Sequence, residues 1–66
     1  MQVRVNGQVQ GLAEAMTVSQ LLERLGIKRD GMAVEINREI VPRSRYMERD
    51  VKDGDIVEIV TFVGGG

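Results

Sequence analysis

Only one stretch of this chain carries a helical apolar face, and that scarcity decides what kind of fold is open to it. Val18, Leu21, Leu22 and Leu25 recur at i, i+3, i+4 and i+7, the spacing of a single buried stripe on a helix. Thr17 stands at the N-cap position and Gln20 closes a capping box. Loss of the Thr17 cap is expected to cost about 1 kcal/mol. Gly26 follows the last apolar residue, where a left-handed residue stops a helix. One short helix can cover one face of one sheet and no more.

The remaining segments alternate with the period of half-buried strands. Val3 and Val5 alternate with Gln2, Arg4 and Asn6, and Gln8-Val9-Gln10 alternates back after Asn6-Gly7. Asn-Gly is a strong hairpin signal because both residues tolerate positive φ in a type I′ turn. Ala33-Val34-Glu35-Ile36-Asn37 alternates again, with Val34 and Ile36 on the inner side. Arg38-Glu39 is read as a turn before Ile40-Val41, and Pro42 marks that short segment as an edge strand or a strand end. Residues from Arg43 to Lys52 are charged and irregular, a loop with a helical turn. Asp53-Gly54-Asp55 is a turn, and Ile56 to Val63 is the last and longest strand. The order β-β-α-β-β-β predicts an α+β fold. With first and last strands side by side at the centre, it becomes a β-grasp, or ubiquitin-like, roll. Its mixed sheet of four to five strands is covered on one face by one helix.

The last strand has apolar residues on both sides. If Glu58 faces solvent, Val57 and Ile59 lie in the core, and Ile56, Val60 and Phe62 share the outer face with Glu58. Scattered surface apolar residues are ordinary. Two of these lie next to the end of the sequence on a face with no second helix, which favours a docking surface.

Composition closes off most chemistry. In 66 residues there is no cysteine and no histidine, so there is no disulfide framework, zinc ribbon or thiol nucleophile, and the commonest general base is missing. A chain of this size buries only about 60% of its unfolded surface, too little to surround a deep internal active site. Nine basic and 10 acidic residues are interspersed to a net charge of −1, with one Tyr and one Phe. Nucleic-acid binding needs a clustered positive surface and stacking groups, so it is not expected. No apolar run approaches a membrane span, and the alternating start, Met1 to Val5, lacks the layout of a signal peptide. A cytoplasmic location is the expectation.

Other constellations read more simply. Asp50, Asp53 and Asp55 with Gly54 do not match calcium-loop spacing and are taken as turn chemistry, so no metal site is expected. Arg43, Arg45 and Arg49 are interleaved with Glu48 and Asp50, as in a solvated loop; steering of an acidic partner is the minor alternative. Met16, Met32 and Met47 are read as gap-filling core or edge residues.

The sequence as written closes with Val63-Gly64-Gly65-Gly66. Three glycines cannot pack or pair strongly, and they lose more entropy on ordering than any other residue. They form a thin thread reaching about 10 Å when extended, narrow enough for a tunnel that a side chain would block. A frayed terminus or linker remnant is the plain alternative. The abrupt exit from a strand, without the Ser, Pro or charged residues of linkers, favours a presented carboxylate. The expected organisation is a domain at 1–63 and a flexible tail at 64–66.

Together these residues carry a resemblance. Ile36-Asn37-Arg38-Glu39-Ile40-Val41-Pro42-Arg43, a loop with Tyr46, Asp53-Gly54-Asp55 and the Phe62-Val63-Gly64-Gly65-Gly66 end resemble the ThiS family. Asn6 after the first strand and Thr17-Val18 opening the helix extend the likeness over the full length. Those proteins are bacterial sulfur carriers for the thiazole ring of thiamine. The resemblance implies that a ubiquitin-activating-like adenylyltransferase uses ATP and Mg²⁺ to turn the Gly66 carboxylate into an acyl-adenylate. Sulfur relayed from a cysteine desulfurase or related donor would replace AMP and leave a thiocarboxylate, which thiazole synthase would consume. Gly66 would be the reacting residue, Gly64 and Gly65 the thread, and Val60 and Phe62 the partner-binding surface. The carrier would bind no cofactor of its own and would be a protein co-substrate, not an enzyme. The molybdopterin-synthase small subunit and tRNA-thiolation carriers share the fold and the glycine end, and a plain β-grasp binding module is the alternative from another class.

Overall fold

The computed structural model describes residues 1–28 and 31–61. Among the described residues seven strands and one α-helix follow in the order β1 (Gln2–Val5), β2 (Gln8–Gly11), β3 (Met16–Thr17), α1 (Val18–Leu25), β4 (Met32–Ile36), β5 (Glu39–Val41), β6 (Asp50–Val51) and β7 (Ile56–Thr61). A 3₁₀ turn at Arg43–Arg45 separates β5 from β6. Five strands form the main sheet in the order β2-β1-β7-β4-β5, and β3 pairs with β6 in a second, two-stranded sheet. The first and last strands are parallel at the centre, with Val5 opposite Val57. The α+β β-grasp arrangement is the one expected.

The helix is closed at both ends by its own sequence. Gln20 N–H donates to Thr17 Oγ1 at 3.2 Å and Thr17 N–H to Gln20 Oε1 at 2.9 Å, the reciprocal capping box. The next two orphan donors are met from the loop: Val18 N–H reaches the Arg49 carbonyl and Ser19 N–H the Tyr46 carbonyl, each at 2.9 Å. Gly26 takes a left-handed φ of 71°. It donates to the Glu23 carbonyl while Ile27 N–H reaches back to Leu22, the Schellman closure that a residue with a Cβ adopts only under strain.

Val18, Leu21 and Leu22 are buried and Leu25 is half-buried, packed with Val34, Ile36, Val51 and Val57 in one core. Tyr46 of the loop is also buried there.

Three details differ from expectation. The hairpin turn after β4 is Asn37-Arg38, both at positive φ (52° and 70°), not Arg38-Glu39, and Glu39 already belongs to β5. Positive φ at both central residues is the type I′ geometry whose twist matches the flanking strands, which outweighs the unfavourable φ at Arg38. The charged segment between Arg43 and Lys52 contains β6 as well as a helical turn. Met16 and Met32 are core residues, but Met47 is 75% exposed. In β2 the two-residue turn sets Val9 opposite Arg4 and Gln10 opposite Val3, so Val9 faces away from the core. Pro42 does follow an outermost strand, and of the three aspartates Asp53 and Asp55 serve the turn before β7, whereas Asp50 lies in β6. Asp53 Oδ1 accepts from Gln2 N–H at 2.7 Å, and Asp55 Oδ2 from Lys52 N–H at 2.8 Å. The expected last two residues of the final strand, and the boundary between 1–63 and 64–66, lie outside the described residues.

Candidate functional site

β7 is the last described strand and leads toward the C-terminal residues. Its inward residues, Val57 and Ile59, are buried as the alternation requires. Its outward residues are Ile56, Glu58 and Val60, and Ile56 and Val60 are 47% and 48% exposed. Val60 therefore stands where the sequence put it. Phe62, Gly64, Gly65 and Gly66 lie outside the described residues.

The register extends this outward set across the sheet. Val60 is opposite Ala33 on β4; Glu58 is opposite Glu35, which in turn is opposite Ile40 on β5. On the other side Ile56 is level with Arg4 of β1, and Arg4 is opposite Val9 of β2. The face away from the helix thus holds exposed Val9, Ile56, Val60 and Ile40 between charged neighbours. Ile40 is 70% exposed. Val9 and Ile40 were not singled out from sequence. The signal that could have found them was register, since each lies on an outermost strand opposite an outward residue, Arg4 of β1 or Glu35 of β4.

Two asparagines hold β7 in place, one on each flank. Asn6 ends β1 at φ 49° and turns its side chain onto Ile59: Ile59 N–H donates to Asn6 Oδ1 at 2.7 Å, and Asn6 Nδ2 donates to the Ile59 carbonyl at 3.1 Å. Asn37 ends β4 and accepts from Ile56 N–H through Oδ1 at 2.9 Å, while its Nδ2 reaches Asp55 Oδ1 at 3.1 Å. Asparagine suits both places because it tolerates positive φ and carries a donor and an acceptor on one short amide. The strand leading to residues 62–66 is thereby fixed at its start and at Ile59.

Catalytic groups are scarce around it. Among the described residues no three His, Cys, Asp or Glu side chains gather as a metal site would need. An open groove runs beside β5, lined by Ile40, Val41, Pro42, Arg45, Glu48 and Arg49. The arginines there are engaged locally. Arg45 pairs with Glu48 at 3.4 Å with both side chains largely exposed, and Arg49 donates to the Asp50 carbonyl at 2.7 Å. Such exposed pairs contribute about 0–1 kcal/mol, and they fit the solvated-loop reading of the basic cluster. No helix is long and apolar enough to cross a membrane among the described residues.

Known proteins align along the whole of this architecture. The ThiS family profile matches residues 3–66. The chain is 38% identical over 66 residues to the sulfur carrier protein ThiS of Escherichia coli, covering all of both proteins. It is 47% identical over 66 residues to a thiazole synthase of Paramagnetospirillum magneticum, where it covers all of this chain but spans only a fifth, 20%, of that relative. The crystal structure of the thiamine biosynthesis protein ThiS of Geobacter metallireducens superposes with a TM-score of 0.86 at 38% identity, with complete coverage of both chains. By a family match across nearly its full length and by whole-length identity to a named carrier, the chain belongs to the ThiS family of sulfur carrier proteins.

Proposed function

We propose that the protein carries sulfur for thiazole formation as a thiocarboxylate on Gly66. The carboxylate of Gly66 attacks the α-phosphate of Mg-ATP in a ubiquitin-activating-like adenylyltransferase, releasing pyrophosphate and leaving an acyl-adenylate. A carboxylate resists nucleophiles because its charge is delocalised over two oxygens; AMP supplies the leaving group it lacks. A terminal persulfide sulfur, furnished by a cysteine desulfurase or related donor, then adds to the acyl carbon and expels AMP. The acyl disulfide so formed is cleaved by a second thiol, which leaves in a mixed disulfide, and the carrier retains the thiocarboxylate. Thiazole synthase takes that sulfur into the ring. ATP and Mg²⁺ belong to the activating partner and the carrier works beside it in the cytoplasm.

The whole-length identity to a named sulfur carrier carries this reading. Three features of the chain support it. The sequence has no cysteine on which sulfur could otherwise be held. Gly64 and Gly65 precede Gly66 and present no side chain to a narrow channel. Val60 and Ile56 offer an apolar surface on the strand that leads to those glycines, and with Phe62 they form the proposed docking surface for the activating enzyme. The alignment of this chain with one fifth of a thiazole synthase supports that enzyme as the consuming partner.

The experiment is intact-mass analysis of the purified chain incubated with the adenylyltransferase, ATP, Mg²⁺ and a persulfide source. Replacement of one terminal oxygen by sulfur, ATP-dependent and located to Gly66 by fragmentation, is the expected result. An inert chain beside an activating enzyme shown to be competent on its own carrier refutes the proposal and leaves a binding module.

A further inference from the structure

We propose that Asn6 is a positioning residue for sulfur loading: its side-chain amide stands in for the next peptide group of β1 and fixes β7 at the point where the exit strand loses its second neighbour. The inference rests on the reading of Gly66 as the reacting residue.

The register shows why an amide is needed there. β1 runs parallel to β7 as far as Val5 opposite Val57, and Asn6 N–H still donates to the Val57 carbonyl at 2.9 Å. In a continued parallel ladder, the Ile59 N–H would next meet the main-chain carbonyl of residue 6. Asn6 instead turns away at φ 49° into the hairpin. Its side chain fills the vacated rung, accepting from Ile59 N–H at 2.7 Å and donating to the Ile59 carbonyl at 3.1 Å. A backbone N–H only donates and a carbonyl only accepts, so the amide has one orientation that serves both. Both bonds are partly buried and join residues 53 apart in sequence.

Ile59 is also where the support of β7 changes. It is flanked by Val34 of β4 on one side and the Asn6 amide on the other. Val60 and Thr61 pair with Ala33 and Met32 of β4, and the β1 register has already ended. Among the described residues the Asn6 amide is thus the last hold on the β1 side of β7. Of the docking residues, Ile56 is held independently through Asn37, and Val60, which follows Ile59, stays paired with Ala33 of β4. Losing the Asn6 hold therefore leaves encounter with the activating enzyme intact. It loosens the origin of the thread, whose ordering must then occur in the bound complex, where misplacement of the reacting carbon lowers the rate.

Two variants test this. Asn6→Gly keeps the positive φ and removes the amide; Asn6→Asp keeps the acceptor for Ile59 N–H but sets a carboxylate oxygen against the Ile59 carbonyl. Both are assayed for thiolation with the adenylyltransferase, Mg-ATP and a persulfide source, and for amide exchange at Ile59 and Val57. Expected for Asn6→Gly is faster exchange at Ile59 but not Val57, with kcat lowered about tenfold and KM changed by less than about twofold. Asn6→Asp should recover toward the unsubstituted protein, compared at each pH, as its carboxyl protonates, because the neutral acid accepts and donates as the amide does. Unchanged Ile59 exchange, unchanged kcat, or a loss confined to KM overturns the proposal. So does failure of both variants to fold, since Asn6 would then be a residue of stability alone. Normal thiolation of the unsubstituted protein with equally fast Asn6→Gly overturns this proposal and spares Gly66; an inert unsubstituted protein overturns both.

Discussion

Val60→Asp separates the two faces of β7 in a single substitution. The Val60 side chain is 48% exposed, on the sheet face away from the helix, and Ala33 is its cross-strand neighbour. A valine fully buried from water contributes about 1.5 kcal/mol, so the half still exposed can offer about 0.7 kcal/mol when a partner covers it. Aspartate forfeits that contribution and adds an unpaired polar group at the interface, which costs about 1–3 kcal/mol or more for a charge. The sum, about 2–4 kcal/mol, weakens binding to the activating enzyme about 30- to 700-fold at 1.4 kcal/mol per decade. Stability should change little because the carboxylate stays in water in the free protein. Val57→Asp, three residues earlier but facing the core at 1% exposure, should unfold the domain and serves as the contrast. Calorimetric titration against the adenylyltransferase, paired with thermal melts, reads both quantities. A folded Val60→Asp that binds within about twofold of the unsubstituted protein would refute the docking face. An unfolded one would refute the strand's orientation.

Leu22→Ala, at a site 1% exposed, should cost about 2–5 kcal/mol in denaturant melts; against a total of about 3–10 kcal/mol for a domain of this length, much of the protein should be unfolded near body temperature. No loss would mean that α1 does not pack on the sheet. Arg38→Gly should stabilise: a non-glycine residue at φ 70° pays about 1–2 kcal/mol, and the added chain entropy of glycine returns about 0.5–1 kcal/mol. A net gain of about 0.5–1 kcal/mol in the same melts is expected, and a loss would exclude the type I′ turn. One alanine appended after Gly66 should leave the melt unchanged yet abolish ATP-dependent thiolation, since the reacting carbon moves by about 3.5 Å and a methyl group enters the channel. Thiolation at an unchanged rate would remove Gly66 as the site.

The elements legible in the sequence are those whose own side chains state them. The Thr17–Gln20 box, the Val18-Leu21-Leu22 stripe and Gly26 name a helix and both its ends, and Asn6-Gly7 names a turn. What escaped depends on partners distant in sequence. β3 and β6 have two residues each, too few for a period, and exist because buried Met16 meets buried Val51. The turn after β4 reads one residue late, at Arg38-Glu39, because Asn37 continues the alternation of the strand; the twist of the paired strands sets it at Asn37-Arg38. The outward face of Val9 appears only when the hairpin register sets it opposite Arg4. Asn6 was visible as a turn residue, but its hold on Ile59 spans 53 positions and appears only once β1 and β7 lie side by side.

The composition of β7 links the fold to the proposed function. Strands covered on both faces read as near-continuous apolar runs, whereas strands covered on one face alternate. The strands β1 and β4 alternate: Arg4, Ala33 and Glu35 lie on the side away from the helix. β7 differs in carrying two large apolar residues, Ile56 and Val60, on that side, although among the described residues a helix covers the other side only. Sheet stability does not require Ile56 and Val60 to be apolar, because threonine would hold the strand conformation as well and hydrate better. Their apolar character is accounted for if the central strand has a second cover that arrives with a partner. The strand with that two-sided composition is the one that leads to Gly66, so docking and presentation of the carboxylate would be built on the same strand.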